Sequence, residues 1–303
     1  MNNICIISFN LSTFSVYYLS ITLNKIMIQI KNLSFDYGKR KQVFQNLNLT
    51  LTEGNVYGLL GRNGAGKSSL LRIMAGLLFP TSGSCIVNEH NAQDRLPSFL
   101  QDIYFLPEEF HTPAVKIKEF VSVYAPFYSK FSQKQFIGYL EEFQLSDNEK
   151  FTELSLGQKK KALIGFALST NTKILLMDEP TNGLDIPSKS QFRKIIASVA
   201  TEERIIVIST HQVRDLESLI DPIIILDNSE VLLNANTEEI TKKLCFKNVI
   251  TVTDHEKVLY SEHSLRGFSI VTQNIDNEQS KADLELLFNA TLTNQSQIKQ
   301  LFN

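Results

Sequence analysis

Cysteine is scarce in this chain of 303 residues. The three present, Cys5, Cys85 and Cys245, stand far apart and are odd in number. No pair has C-x-x-C spacing, so neither a disulfide framework nor a zinc site is indicated. A reducing, cytoplasmic compartment is the simplest reading. An excess of one charge is lacking too. The 30 basic side chains nearly balance the 32 acidic ones, leaving a net charge of −2. That balance gives no reason to expect nucleic acid or an anionic membrane surface as a partner. No internal repeat with a period of roughly 20 to 50 residues is visible. With 43% hydrophobic and 20% charged residues, the composition is that of an ordinary soluble globular chain. Its length admits one large domain or two smaller ones.

One stretch lacks charge altogether. Residues 4–23 carry no charged side chain, a length that can span a bilayer. Ser, Thr and Asn are scattered through it, and a basic leader and a small-residue cleavage site are missing, unlike a signal peptide. Met27 then opens MIQIKNLSF, which reads as the first strand of a domain. Residues 1–26 are therefore expected to be an N-terminal extension, disordered or translated from upstream sequence. A packed edge element and a membrane anchor are the other two readings.

The most informative segment is Gly61-Arg62-Asn63-Gly64-Ala65-Gly66-Lys67-Ser68. It fits G-x-x-x-x-G-K-[ST], the phosphate-binding P-loop. Gly61, Gly64 and Gly66 give the backbone conformations closed to residues with a Cβ. Successive N–H groups can then turn inward around a phosphate. Lys67 brings a point charge to the β/γ oxygens, and the Ser68 hydroxyl is placed to ligate Mg²⁺. The flanks suit the motif. Residues 56–60 read as a buried strand leading in, and residues 69–75 as a helix leading out, whose N-terminus favours an anion.

Along the chain, residues 27–51 alternate apolar and polar, as antiparallel strands with one wet face do. Residues 86–87 and 103–106 read as short strands. Residues 115–150 change character. Ser132 is a candidate N-cap, and Phe136, Leu140 and Phe143 recur on one helix face. This predicts a helical subdomain, at about residues 110–170, inserted into an α/β core. The runs 174–177 and 205–208 are continuously apolar, as in parallel strands covered on both faces. Residues 223–226 and 231–233 add a closing hairpin. Beyond residue 245, short strands are expected at 249–252, 258–260 and 268–271, with one amphipathic helix at 281–288. The last fifteen residues are polar and expected to fray.

Three further groups bear chemistry. Asp178-Glu179 stands at the end of the run 174–177, where open α/β sheets bind ligands. Such an Asp can hold Mg²⁺ through water, and the neighbouring Glu can polarise an attacking water. His211 follows the next buried strand and reaches the same sheet edge, where an imidazole can contact the γ-phosphate. Leu154-Ser155-Leu156-Gly157-Gln158 offers Ser155 as an N-cap for a helix through residues 159–168, and a helix start with Ser and Gly can meet an anion. The run Lys159-Lys160-Lys161 reads as a solvated helix start.

These residues, in this order, resemble the nucleotide-binding domain of ATP-binding cassette (ABC) transporters, over about residues 27–233. Gly61–Ser68 matches Walker A, Leu154–Gln158 the LSGGQ signature, Ile174–Asp178 Walker B, and Glu179 the adjoining catalytic glutamate. Gly183-Leu184-Asp185 matches the D-loop and His211 the switch histidine. The resemblance implies Glu179, His211 and Lys67 as catalytic residues. It implies nucleotide contacts from Tyr37 (stacked on adenine), Gly61, Asn63, Gly64, Gly66, Lys67, Ser68, Ser69, Ser155, Gly157, Gln158 and Asp185. Ser68, Asp178 and Glu108 would face Mg²⁺. Two positions depart from the pattern. Leu156 replaces a signature glycine, and Glu108 stands where the Q-loop has glutamine, adding a carboxylate near triphosphate.

The fold implied is α/β: a P-loop NTPase core with an antiparallel β subdomain, the inserted helical subdomain and a small C-terminal α+β tail. The ABC ATPase domain would occupy residues 27–244 and the tail 245–303. The resemblance also implies a pair of such domains, head to tail, each ATP lying between Walker A of one and the signature of the other. The second domain is a second copy or a paralogue. The pair would drive a separate integral-membrane permease from the inner face of the cell membrane, and the tail resembles those of ABC-2-type exporter ATPases. A soluble ABC ATPase that remodels a ribosome or nucleic acid is the alternative, and a non-ABC P-loop kinase the third.

Overall fold

The computed structural model describes residues 25–38, 42–252 and 257–302. The expected extension lies outside them up to residue 24. Ile26 already opens the first strand.

Alternating apolar residues make β1 (Ile26–Asp36) and β2 (Gln42–Thr52) an antiparallel pair. Ile28, Ile30 and Leu33 on one strand, and Leu47, Leu49 and Leu51 on the other, are buried. The alternation breaks between Ile30 and Leu33, and the register shifts there, as a bulge allows. β3 (Val56–Gly61) is buried throughout and leads into α1 (Lys67–Met74). β4 (Ser82–Val87) and β5 (His90–Asn91) return to the first sheet, giving the order β2-β1-β4-β5.

After the short α2 (Pro97–Leu100) and β6 (Ile103–Leu106) comes the helical region: α3 (Ile117–Tyr124), α4 (Gln133–Glu142) and α5 (Leu156–Ser169). Ser132 caps α4 by accepting from the N–H of Gln135. Phe136, Leu140 and Phe143 are buried, as their spacing requires. Phe166 of α5 is the hub of this packing. Its ring lies 5.2 to 6.4 Å from those of Phe120, Phe131, Tyr104, Tyr128 and Phe136.

The core then resumes with β7 (Ile174–Asp178), α6 (Ile186–Val199), β8 (Ile205–Thr210), β9 (Ile223–Asp227) and β10 (Glu230–Ala235). The main sheet runs β10-β9-β3-β8-β7-β6. All its neighbours are parallel except the edge hairpin β9–β10. Strands β3, β7, β8 and β9 have no exposed residue, which explains their continuously apolar sequences. Because β3, β7 and β8 run the same way, the segments after them emerge at one edge.

The C-terminal part comprises α7 (Thr237–Lys243), then β11 (Leu244–Val249), β12 (Val258–Ser264) and β13 (Gly267–Gln273) in the order β11-β13-β12, then α8 (Leu284–Thr293) and α9 (Gln295–Phe302). Two expectations change here. The first strand lies at 244–249 rather than 249–252, because Leu244 and Cys245 are buried in register with Gln273 and Thr272, whereas Ile250 is exposed. The expected fraying is not seen over residues 289–302, which are helical for most of their length. α9 buries Ile298 in the main core, and Gln295 donates to Asp227. Its few apolar residues share one face, which the polar composition conceals.

Phe166→Ala should destabilise the protein by about 3–5 kcal/mol in urea unfolding, since a fully buried hub ring leaves a cavity that its neighbours cannot fill. A loss below about 1 kcal/mol would contradict the hub assignment.

Candidate active site

The loop between β3 and α1 is shaped by close approach. A Cβ on Gly61 would sit 2.6 Å from the carbonyl oxygen of Leu226. Gly66 has φ +105°, and a Cβ there would meet the Phe44 ring at 2.8 Å, so both positions require glycine. Gly66 caps α1 with no side-chain hydrogen bond. The first N–H groups of the helix are thereby left for a ligand, with the positive end of the helix dipole behind them. The Lys67 ammonium is buried. It donates to the carbonyl oxygens of Gly61 (2.8 Å) and Arg62 (3.4 Å). Burial lowers its pKa, and the opposing pull of Glu179, Asp178 and Glu108 does not cancel that effect.

The strand ends bring the carboxylates to this loop. Asp178, the last residue of β7, accepts a 2.5 Å hydrogen bond from the Ser209 hydroxyl. Glu179 follows with φ +46°, a left-handed conformation costly for a non-glycine residue, on the order of 1–3 kcal/mol. Its N–H donates to the carbonyl oxygen (3.1 Å) and the hydroxyl (3.2 Å) of Ser209. Its Oε1 lies 2.7 Å from Nδ1 of His211 and 3.8 Å from Nζ of Lys67. An ionised carboxylate only accepts, so against it Nδ1 carries the proton.

Asn63, Gly64, Gly66, Lys67, Ser68, Ser69, Glu108, Asp178, Glu179 and His211 all line one cavity of about 610 Å³, which Tyr37 also lines. A second cavity, about 850 Å³, continues from Tyr37 and Asn63 toward Gln42 and Asp227. The Tyr37 hydroxyl is 3.0 Å from the Ser69 hydroxyl, and its ring stands edge-on to Phe35. Glu108 accepts from the Asn182 amide at 2.9 Å. Among the described residues no group of three or more His, Cys, Asp or Glu could hold a metal unaided. The hard oxygens of Ser68, Asp178 and Glu108 in one cavity nevertheless suit Mg²⁺, which usually takes one or two protein ligands and completes its shell with phosphate and water.

Ser155, Gly157, Gln158 and Asp185 do not line this cavity. Ser155 and Gln158 cap α5 reciprocally, Ser155 Oγ accepting from Gln158 N–H and Gln158 Oε1 from Ser155 N–H. A Cβ on Gly157 would come 3.1 Å from the Gly183 carbonyl oxygen. Leu156 is 67% exposed. Asp185 caps α6 by accepting from the Ser188 N–H, and hydrogen bonding from the Ser188 side chain first and its N–H second holds its carboxyl below the usual range.

Sequence reasoning missed two supports. Ser209 lies just beyond the apolar run 205–208 and carries no role in the sequence analysis. Lys160, expected in solvent, is 4% exposed and donates to the carbonyl oxygens of Glu179 and Asn182. A signal existed: Lys160 shares a helix face with buried Leu163, Ile164 and Ala167.

Residues 44–182 match the ABC transporter family. The chain is 30% identical over 244 residues to the uncharacterized ABC transporter ATP-binding protein MJ1023 of Methanocaldococcus jannaschii, covering 78% of this chain and 87% of that protein. It is 32% identical over 215 residues to the lantibiotic transport ATP-binding protein SrtF of Streptococcus pyogenes, covering 68% and 90%. Among solved structures it is similar to the dimeric ATP-binding cassette MJ0796 in a post-hydrolysis state with ADP and Pi. There the TM-score is 0.62 at 26% identity, covering 69% of this chain and 98% of the other.

Lys67→Ala should weaken binding of a fluorescent ATP analogue by about 10- to 100-fold, the range for losing a charged hydrogen-bond partner. Unchanged affinity would remove the phosphate role from this loop.

Proposed function

The chain belongs to the ABC transporter family as an ATP-hydrolysing, ATP-binding protein, and on that premise we propose that two copies work head to tail to drive a separate integral-membrane permease, in the direction of export. The observation that carries the catalytic part is the placing of Glu179 Oε1, 2.7 Å from His211 and 3.8 Å from Lys67, inside the phosphate-loop cavity.

In this reading the loop amides and Lys67 bind the β- and γ-phosphates. Tyr37, which lines both cavities, exchanges its bond to Ser69 for the adenine face. Glu179 accepts the proton of the attacking water. His211 keeps that carboxylate aimed and faces the γ-phosphate. The cavity is lined by three carboxylates, Glu108, Asp178 and Glu179, against the two cations Arg62 and Lys67. A triphosphate adds further negative charge, so a divalent cation has to balance it. Mg²⁺, held by Ser68 with Asp178 and Glu108 nearby, would supply that neutralisation. Glu108 in place of an amide makes this need greater.

The second copy accounts for the residues outside the cavity. Ser155, Leu156 and Gly157 form the outward N-terminus of α5, with Ser155 and Leu156 exposed. In this reading they meet the γ-phosphate held by the partner copy, with Asp185 in the D-loop beside the seam. ATP would close the pair, and loss of the γ-phosphate would release it. Among the described residues no helix is long and apolar enough to cross a membrane. The similarity to a lantibiotic transport ATP-binding protein supports a transport role. The small sheet and two helices after Leu244 support the exporter direction.

Glu179→Gln should keep ATP binding but cut hydrolysis about 10²-fold or more, as loss of a general base does. It should also yield an ATP-dependent dimer in size exclusion. Near-normal turnover would move the base to another residue.

A further inference from the structure

Lys160 is a buried ammonium with a specific task for its protons. Its Nζ lies 2.8 Å from the carbonyl oxygen of Glu179 and 2.9 Å from that of Asn182. Withdrawing an ammonium from water is costly, so a lysine that merely solvates a helix start stays outside. Burial lowers its pKa, despite the opposing carboxylates of Glu108, Glu179 and Asp178.

The two carbonyls belong to one turn, which the Asn182 N–H closes by donating to the Glu179 carbonyl oxygen at 3.2 Å. The left-handed backbone of Glu179 is thus clamped from both sides. Ser209 takes its N–H, and Lys160 takes its C=O. A non-glycine residue persists in that region only while its surroundings over-determine it. Release of the carbonyl lets φ return toward the common regions, and any rotation there swings Oε1 away from His211 and Lys67. The same turn presents the Asn182 amide to Glu108. Lys160 also sits on the first turns of α5, two residues beyond Gln158. It thereby joins the outward helix end to the turn that carries Glu179.

We infer that Lys160 is a positioning residue for ATP hydrolysis: its ammonium holds the Glu179–Asn182 turn so that the Glu179 carboxylate stays aimed at the phosphate site. This rests on the role of Glu179 given above. Lys160→Met keeps the length and apolar stem and removes the two donors.

The test uses the full-length chain with MgATP, with turnover normalised to nucleotide-binding sites. Lys160→Met should lower kcat about 10- to 100-fold, as small misplacements of a catalytic group do, with KM within about twofold. In a Glu179→Gln background, single-turnover hydrolysis should change less than about twofold on adding Lys160→Met, because the lysine acts only through that carboxylate. Lys160→Arg, which restores a cationic donor, should recover part of kcat. Wild-type kcat in Lys160→Met would overturn the inference. So would a loss that adds fully to that of Glu179→Gln, or a fall in nucleotide binding that parallels kcat, since the lysine would then serve the fold alone. If instead Glu179→Gln itself turns over normally, the assignment of the base fails, whatever Lys160 does.

Discussion

A glutamate held in left-handed backbone at the end of a buried strand is the constraint on which the site depends. Glu179 is 4% exposed and adopts φ +46°. Neither condition suits a carboxylate in isolation. Both are sustained by hydrogen bonds to its main chain and by two basic groups at its side chain. Ser209 is shared between this residue and Asp178, binding the N–H of one and the carboxylate of the other. One hydroxyl in β8 therefore sets the relative position of the expected metal-facing and base carboxylates.

The rest of the fold gives this arrangement a rigid floor. β3, β7 and β8 are adjacent, parallel and free of exposed residues. The loops that follow them converge without needing long connections. Lys67, tied to the carbonyl of Gly61, locks the loop to its own strand. Burial lowers its pKa in spite of three nearby carboxylates. A phosphate arriving there meets an ammonium poorly compensated by solvent, which strengthens the attraction. The helical region is built differently, around aromatic rings meeting Phe166. It reaches the site through α5, whose Lys160 grips the Glu179 turn.

Much of this was legible in the sequence. The continuous apolar runs gave β3, β7, β8 and β9, and the alternation gave β1 and β2. The G-x-x-x-x-G-K-S spacing, Asp178-Glu179 and His211 located the cavity. The illegible parts have physical causes. Lys160 was hidden because three consecutive lysines look alike until a helix phase assigns one of them inward. The conformation of Glu179 leaves no trace in residue type, since its strain is balanced by contacts from distant positions. α9 was hidden because its polar residues outnumber the few that pack, among them Ile298. The first tail strand was misplaced because exposed Ile250 and Val252 suggest a strand as strongly as the buried pair Leu244 and Cys245.

Within one chain the cavity carries the phosphate loop, the proposed base and the proposed metal-facing oxygens, while Ser155 and Gly157 stand elsewhere. In the proposed pair, two copies complete each other's sites. Mixed dimers test it most directly. Lys67→Ala leaves a chain with an intact α5 end and a damaged loop; Ser155→Arg does the reverse. Each alone should be nearly silent in phosphate release. Mixed in equal amounts, they should recover up to about a quarter of wild-type activity, since half the pairs are mixed and each holds one intact site. A mixture no more active than its separate components would contradict the shared site and place the whole of catalysis within one chain.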